Sequence, residues 1–198
     1  HMQGHAFLGP KADEPREYVY AIRDRMAERF DTVRVVRDKQ FQYLRNFQPH
    51  RSWSQFTSYT EEMPTMKVWR AMAEAGQLNA VQARYFQPNK PVEELYDTQA
   101  DPHQVNNLAD DPWYSKVLDR MRRECRDWML RTHDLGLLSE YELEQRSAGR
   151  TPWDVAHDAR ANPLEPLLAA VSVANRLDPA SIPALVNLLH ADDPAVRF

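Results

Sequence analysis

Cys125 is the only thiol in the chain that could act as a nucleophile. It lies in Glu124-Cys125-Arg126-Asp127-Trp128, on the apolar side of a helical pattern, so it reads as a structural thiol rather than a thiolate made reactive by nearby cations. One cysteine also excludes an internal disulfide framework and a cysteine-based zinc site. Asp110-Asp111 is an acidic pair of the kind that can hold a cation, but Asp111 precedes Pro112 and an apolar run, which makes it a helix cap. His5, His50, His103, His133, His157 and His190 show no H-x-H or H-x-x-x-H spacing, the patterns that bring two imidazoles to one metal. Arg120, Arg122, Arg123, Arg126 and Arg131 could meet phosphates, but Asp119, Glu124 and Asp127 are interleaved with them, so this is a solvated helix face. These residues yield no catalytic site and no metal site.

The elements that would position any site begin after a turn-rich start containing Gly4, Gly9, Pro10 and Pro15. Residues 17–22 carry Tyr18, Val19, Tyr20 and Ile22, which suit a strand. Residues 32–37 and 41–47 alternate in a strand-like way around the polar turn Asp38-Lys39-Gln40, which predicts a hairpin. The connector 49–64 bears Trp53, Phe56 and Tyr59 and is too long for a simple turn. Helices are expected over 65–75, stopped by Gly76, and over 79–86; a fourth strand follows at 92–96. Asp111-Pro112 then opens a long helix reaching His133 or Asp134, with Tyr114, Val117, Leu118, Met121, Cys125, Trp128 and Met129 in one apolar stripe.

Past Ser139 the pattern becomes short helices punctuated by proline: 152–161, one from Asn162-Pro163, one from Asp178-Pro179, and a fourth opened by Asp193-Pro194. This last part resembles a HEAT-type repeat, an apolar helix followed by D-P-x-V-R entering its partner, and such a pair buries its face only against neighbouring pairs. A lone, cut-off repeat is expected to fray or to pair with another copy.

With 198 residues and 42% hydrophobic content the chain can build a real core as one domain or two small ones. A net charge of −4 and a pI near 6.0 give no reason to expect nucleic acid or an anionic membrane as a partner. No apolar run approaches the ~18–20 residues of a membrane span. We expect no signal peptide at the start of the chain, and His1-Met2 reads as an expression scar. The compartment stays open, since a piece of a bacterial periplasmic or exported protein would look the same.

The most specific signal is Glu93-Glu94-Leu95-Tyr96-Asp97-Thr98-Gln99-Ala100-Asp101-Pro102-His103-Gln104-Val105-Asn106-Asn107-Leu108. It resembles the E-L-Y-D-L-x-x-D-P-x-E-x-x-N-L signature near the C-terminal end of sulfatases of the alkaline-phosphatase superfamily, with Thr98 in place of Leu and Gln104 in place of Glu. Gly4-His5-Ala6-Phe7-Leu8 is similar to that family's G-x-S-L-L segment, with Ala6 for serine. Residues 34–44 resemble its hairpin in the N-sulfoglucosamine sulfohydrolase branch.

The resemblance implies an α+β fold for residues 3–135, a C-terminal sulfatase subdomain with an antiparallel sheet of about four strands and a long packed helix. Residues 136–198 would be the helical extension with the truncated HEAT-like repeat. The intact enzyme would hydrolyse a sulfate ester or sulfamate with a formylglycine, made within a C/S-x-P-x-R motif, and a calcium-like divalent cation. This chain has neither motif nor metal aspartates, so it is expected to be inactive alone and to dock on a missing N-terminal catalytic domain. By its place in the chain, the loop after the first strand resembles the rim of the substrate pocket, which makes Arg23, Asp24 and Arg25 candidate contacts to a sulfated substrate. Guanidinium forks match such anions, whereas the plainer reading is a solvated turn with local Arg/Asp pairs. The face of residues 17–47, with Phe30, Trp53 and Phe56, is expected to be exposed without the catalytic domain and to favour self-association. Two alternatives stand beside this reading: a non-catalytic interaction module using the HEAT-like helices, and the small domain of a related phosphoryl-transfer enzyme.

Overall fold

The computed structural model describes residues 6–176 and 178–197. The expectations on His1-Met2, on Gly4 and His5, and on Phe198 lie outside the described residues. Four strands, β1 (Val19–Arg23), β2 (Val33–Arg37), β3 (Phe41–Asn46) and β4 (Glu93–Asp97), form an antiparallel sheet in the order β1-β2-β3-β4. The β2–β3 hairpin closes as its polar turn predicts: the Asp38 carboxylate accepts from the amides of Gln40 and Phe41 at 2.8 and 2.6 Å.

Strand alternation and register decide what each face carries. Tyr20, Val36, Tyr43 and Leu95 line up across the sheet on one face. The next row over, Ala21, Val35, Leu44 and Glu94, points to the other. The first face is sealed by a helix whose start is built as the sequence suggests. Asp111 caps a 3₁₀ turn at Pro112–Tyr114, accepting from the Trp113 amide at 3.0 Å, and helix Ser115–Arg131 follows. Leu118, Met121, Cys125 and Met129 of that helix are buried with Val36, Tyr43, Phe47 and Leu95, and Trp128 stacks on Tyr20 with ring centroids 4.7 Å apart. Complete burial of side chains such as Met121 contributes roughly 1.5–3 kcal/mol each.

In chain order the helices are α1 (Ser58–Glu61), α2 (Pro64–Glu74), α3 (Ala80–Ala83), α4 (Ser115–Arg131), α5 (Glu140–Arg146), α6 (Pro152–Ala156), α7 (Leu164–Ala174) and α8 (Ile182–Leu188). The fold is therefore α+β. The connector 49–64 is docked rather than free: α1 forms inside it, and Arg70 of α2 reaches back to Glu61 at 2.6 Å. Trp69 of α2 stacks on Tyr85 at 4.7 Å and meets Phe86 edge-on, which ties α2 to the 3₁₀ turn after α3.

The run of short helices begins at Ser139, which caps α5 by accepting from the Glu142 amide at 3.2 Å. Two details differ from the sequence reading. α6 ends at Ala156 instead of running to 161, because the Asp158 carboxylate takes the Arg160 amide at 2.9 Å and folds the chain into a turn. No helix starts at Asp193: residues 194–196 are a turn in which Asp193 accepts from Ala195 at 2.8 Å and pairs with Arg146 at 2.6 Å. α7 packs against both cores of the protein. Val171 and Leu168 join the sheet–α4 core, while Leu167 and Ala170 join a second cluster with Leu138, Val155 and Val196.

Candidate functional site

Arg23 is the last residue of β1, on the face turned away from α4. Its guanidinium lies 5.8 Å from the centre of the Trp53 ring and 3.9 Å from Asp31 Oδ2, and its buried Nη2 has no hydrogen-bond partner among the described residues. Asp31 is itself held by Lys90, whose Nζ donates to both carboxylate oxygens at 2.6 and 2.5 Å and sits 4.5 Å from the Trp53 ring centre. Both side chains of that pair are fully buried. Burial pushes the Lys90 ammonium below the usual lysine range, against the opposing pull of Asp31.

The neighbouring candidates are spent on internal contacts. Asp24 accepts from Arg34 Nη1 at 2.8 Å, and Arg34 Nε and Nη2 donate to Asp134 at 2.5 and 2.8 Å. Arg34 is fully buried, and although burial works against its charge the two aspartates more than compensate and raise its pKa. Arg25 pairs with Glu140 at the start of α5. Of Arg23, Asp24 and Arg25, only Arg23 has a buried donor without a partner among the described residues; Arg25 uses Nε alone, in an exposed pair with Glu140. Within residues 23–57, Arg29 Nε, Asn46 Oδ1, Gln48 Oε1, Arg51 Nε, Gln55 Nε2 and Thr57 Oγ1 are also buried without a partner among the described residues, each at a cost of about 1–3 kcal/mol.

Sequence reasoning missed Asp31, Trp53 and Lys90 as members of this cluster. Trp53 had one signal, its place in a connector too long to be idle; Lys90, flanked by Asn89 and Pro91, had none. Among the described residues no group of three or more His, Cys, Asp or Glu side chains converges as metal ligands would. Burial pushes the Cys125 thiol up to about 12, which keeps it protonated and inert near neutral pH.

No family model matches the chain. Over 143 residues it is 38% identical to an ulvan-active sulfatase of Formosa agariphila, covering 72% of this chain and 24% of that protein. The chain is similar to sulfatases. A 41-residue stretch is 44% identical to the human N-sulphoglucosamine sulphohydrolase, covering 21% of this chain and 8% of that one. Among solved structures, a 2-O GAG sulfatase superposes over 63% of this chain and 18% of its own, at 22% identity and a TM-score of 0.38. The sulfatase-like chain spans about a quarter of the length of the two ulvan-active sulfatases it matches, 24% and 26%.

Proposed function

We propose that this chain is the C-terminal, non-catalytic part of a sulfatase of the N-sulfoglucosamine sulfohydrolase-like branch. The observation that carries the reading is the 38% identity to an ulvan-active sulfatase over 72% of the chain. In the whole protein an upstream domain would hydrolyse a sulfate ester or sulfamate, using a formylglycine and a calcium-like divalent cation held by its own residues. The part described by residues 6–135 would dock on that domain through the open sheet face and the unpaired polar atoms near Arg23. Arg23, the one rim arginine with a free buried donor, would contact the sulfated substrate there.

Three measurements test this. The chain alone, given an aryl sulfate and a divalent cation, is expected to show no turnover; hydrolysis above background would assign catalysis to it and overturn the proposal. The coding sequence upstream is expected to contain C/S-x-P-x-R, whereas a lone serine or threonine in its place would move the reading to phosphoryl transfer. In the whole protein, Arg23→Ala is expected to raise KM for a sulfated saccharide roughly tenfold with kcat little changed, the signature of lost uniform binding.

A second reading rests on one observation. Ile182, Val186 and Leu189 form a row at helical spacing along α8 and its end and are 56%, 48% and 52% exposed. A helix that leaves this row open behaves as the first half of a repeat awaiting its neighbour, which keeps a HEAT-like interaction surface as a second role for residues 164–197.

A further inference from the structure

A cleft of about 550 Å³ opens on the α4 face of the sheet, on the opposite side from Arg23, between β3, β4 and α4 on one wall and α7 on the other. Its floor is apolar, formed by Tyr43, Phe47, Cys125, Met129 and Leu168. Its walls carry Arg45, Arg122, Arg126 and Arg176 against the two carboxylates Glu93 and Glu165. The way these charges are shared is uneven. Glu93 is taken up by Arg122, which donates from Nε and Nη2 at 2.7 and 2.8 Å, and by the Tyr43 hydroxyl at 2.6 Å. Arg45 therefore reaches the same carboxylate only at 3.9 Å and lies over the Phe47 ring instead, 5.5 Å from its centre. Glu165 answers Arg126 at the mouth, at 3.1 Å. Arg176, just past α7, makes no ion pair with any described residue.

We infer that this cleft binds a small organic oxyanion, a carboxylate or sulfate group meeting Arg45 and Arg176 while its apolar body rests on Phe47 and Leu168. The size falls within the range of small-molecule sites, roughly 300–1,000 Å³. A guanidinium without a full carboxylate partner, in a chain of net charge −4, offers donors in the planar geometry such an anion matches. The apolar floor supplies the burial that a bare inorganic ion could not use.

The test is calorimetric titration of the 198-residue chain with benzoate, phenyl sulfate, inorganic sulfate and benzyl alcohol. Benzoate and phenyl sulfate are expected to bind, with the tighter of the two naming the group carried by the natural ligand; benzyl alcohol is expected to show no heat. Arg176→Ala, at an exposed position where folding is not at stake, should weaken binding about tenfold, as loss of one charge-assisted contact does. Glu165→Gln should tighten binding by freeing Arg126, an effect in the opposite direction that mere damage to the fold would not give. Arg150→Ala, outside the cleft lining and paired with Asp158, should leave binding unchanged. Absence of binding by either organic anion at about 10 mM, indifference to Arg176→Ala, or inorganic sulfate binding as tightly as phenyl sulfate would each overturn the inference.

Discussion

The two faces of the sheet solve the same problem by opposite means. On the α4 face, Tyr20, Val36, Tyr43 and Leu95 meet a helix stripe that buries them, and the charges at the margins have partners: Glu93 with Arg122 and Tyr43, Asp38 with Arg120, Glu124 with Tyr20 and Arg131. On the other face Val19 is half exposed, Ala21 is exposed, and Val35 and Leu44 are only half-buried, whereas Val33, Asn46, Glu94 and Tyr96 are buried there, Glu94 accepting from Asn46 Nδ2 and from the Tyr96 hydroxyl. At the loop end of that face, Arg23 Nη2 is buried without a partner among the described residues. The first face is covered by α4 except at Ile22, and the second is open along β1 and at Val35 and Leu44.

The sharpest way to break this contrast is at the Arg34 lock on the α4 face. Gly136 passes so close to Arg34 that an added Cβ would stand 1.7 Å from Nη2 and 2.9 Å from Cζ. Gly136→Ala must therefore displace a buried arginine from Asp24 and Asp134, and is expected to cost about 3 kcal/mol. That loss would appear as a fall of roughly 10 °C in thermal midpoint. A change of a degree or two would show that the lock gives way easily.

A paired truncation sharpens the comparison itself. Met121→Ala, at a fully buried site on the α4 face, is expected to destabilise by about 3 kcal/mol. Leu44→Ala on the open face should cost below about 1 kcal/mol in the isolated chain. Equal losses in urea denaturation would mean that the open face is as well packed as the closed one.

Acid should act chiefly through the closed face. Burial pulls the Glu93 carboxyl upward, but hydrogen bonds from Arg122 and Tyr43 outweigh it and hold the group below its reference value of 4.5. Asp38 is likewise held below 3.8, burial being overcome by the Phe41 amide and Arg120. A carboxylate depressed in the fold stabilises it at pH values above the unfolded pKa, and that contribution fades as pH falls through the folded one. Stability is therefore expected to drop with acidification below about pH 4.5, and Glu93→Gln should flatten the decline. Urea midpoints measured across that range would decide it; an unchanged slope would remove Glu93 from the account.

The smallest expected effect concerns the open face in solution. Sedimentation of the chain should show weak, concentration-dependent self-association, reduced by Val35→Lys. A profile independent of dilution would show that the exposed Val19–Leu44 patch is too small to drive association.

How much of this was legible varied with the distance over which the deciding forces act. The hairpin at 38–40, the cap at Asp111-Pro112 and the stripe from Leu118 to Met129 are local patterns, and each appears where its residues say it should. The extension was harder. Asp193-Pro194 has the composition of a helix start, but Arg146, 47 positions earlier, takes the Asp193 carboxylate and the segment stays a turn. Arg23, Asp24 and Arg25 read as three equivalent charges in a loop; that Asp24 is drawn to the buried Arg34 and Arg25 to an exposed pair with Glu140 depends on residues more than 100 positions along the chain or on the next strand.

The sequence by itself determined the strands, the long helix, the buried fate of Cys125 and the resemblance to sulfatases carried by Glu93 to Leu108, because periodicity, caps and turn residues act within a few positions along the chain. Only the tertiary structure decided which charges are spent and which remain available. Lys90 reaches Asp31 across 59 positions, Asp134 reaches Arg34 across 100, and Arg176, lining the same cleft as Arg45, makes no ion pair with any described residue. Pairing of that kind is set by which side chains meet once the core has closed, and no local pattern in the chain records it.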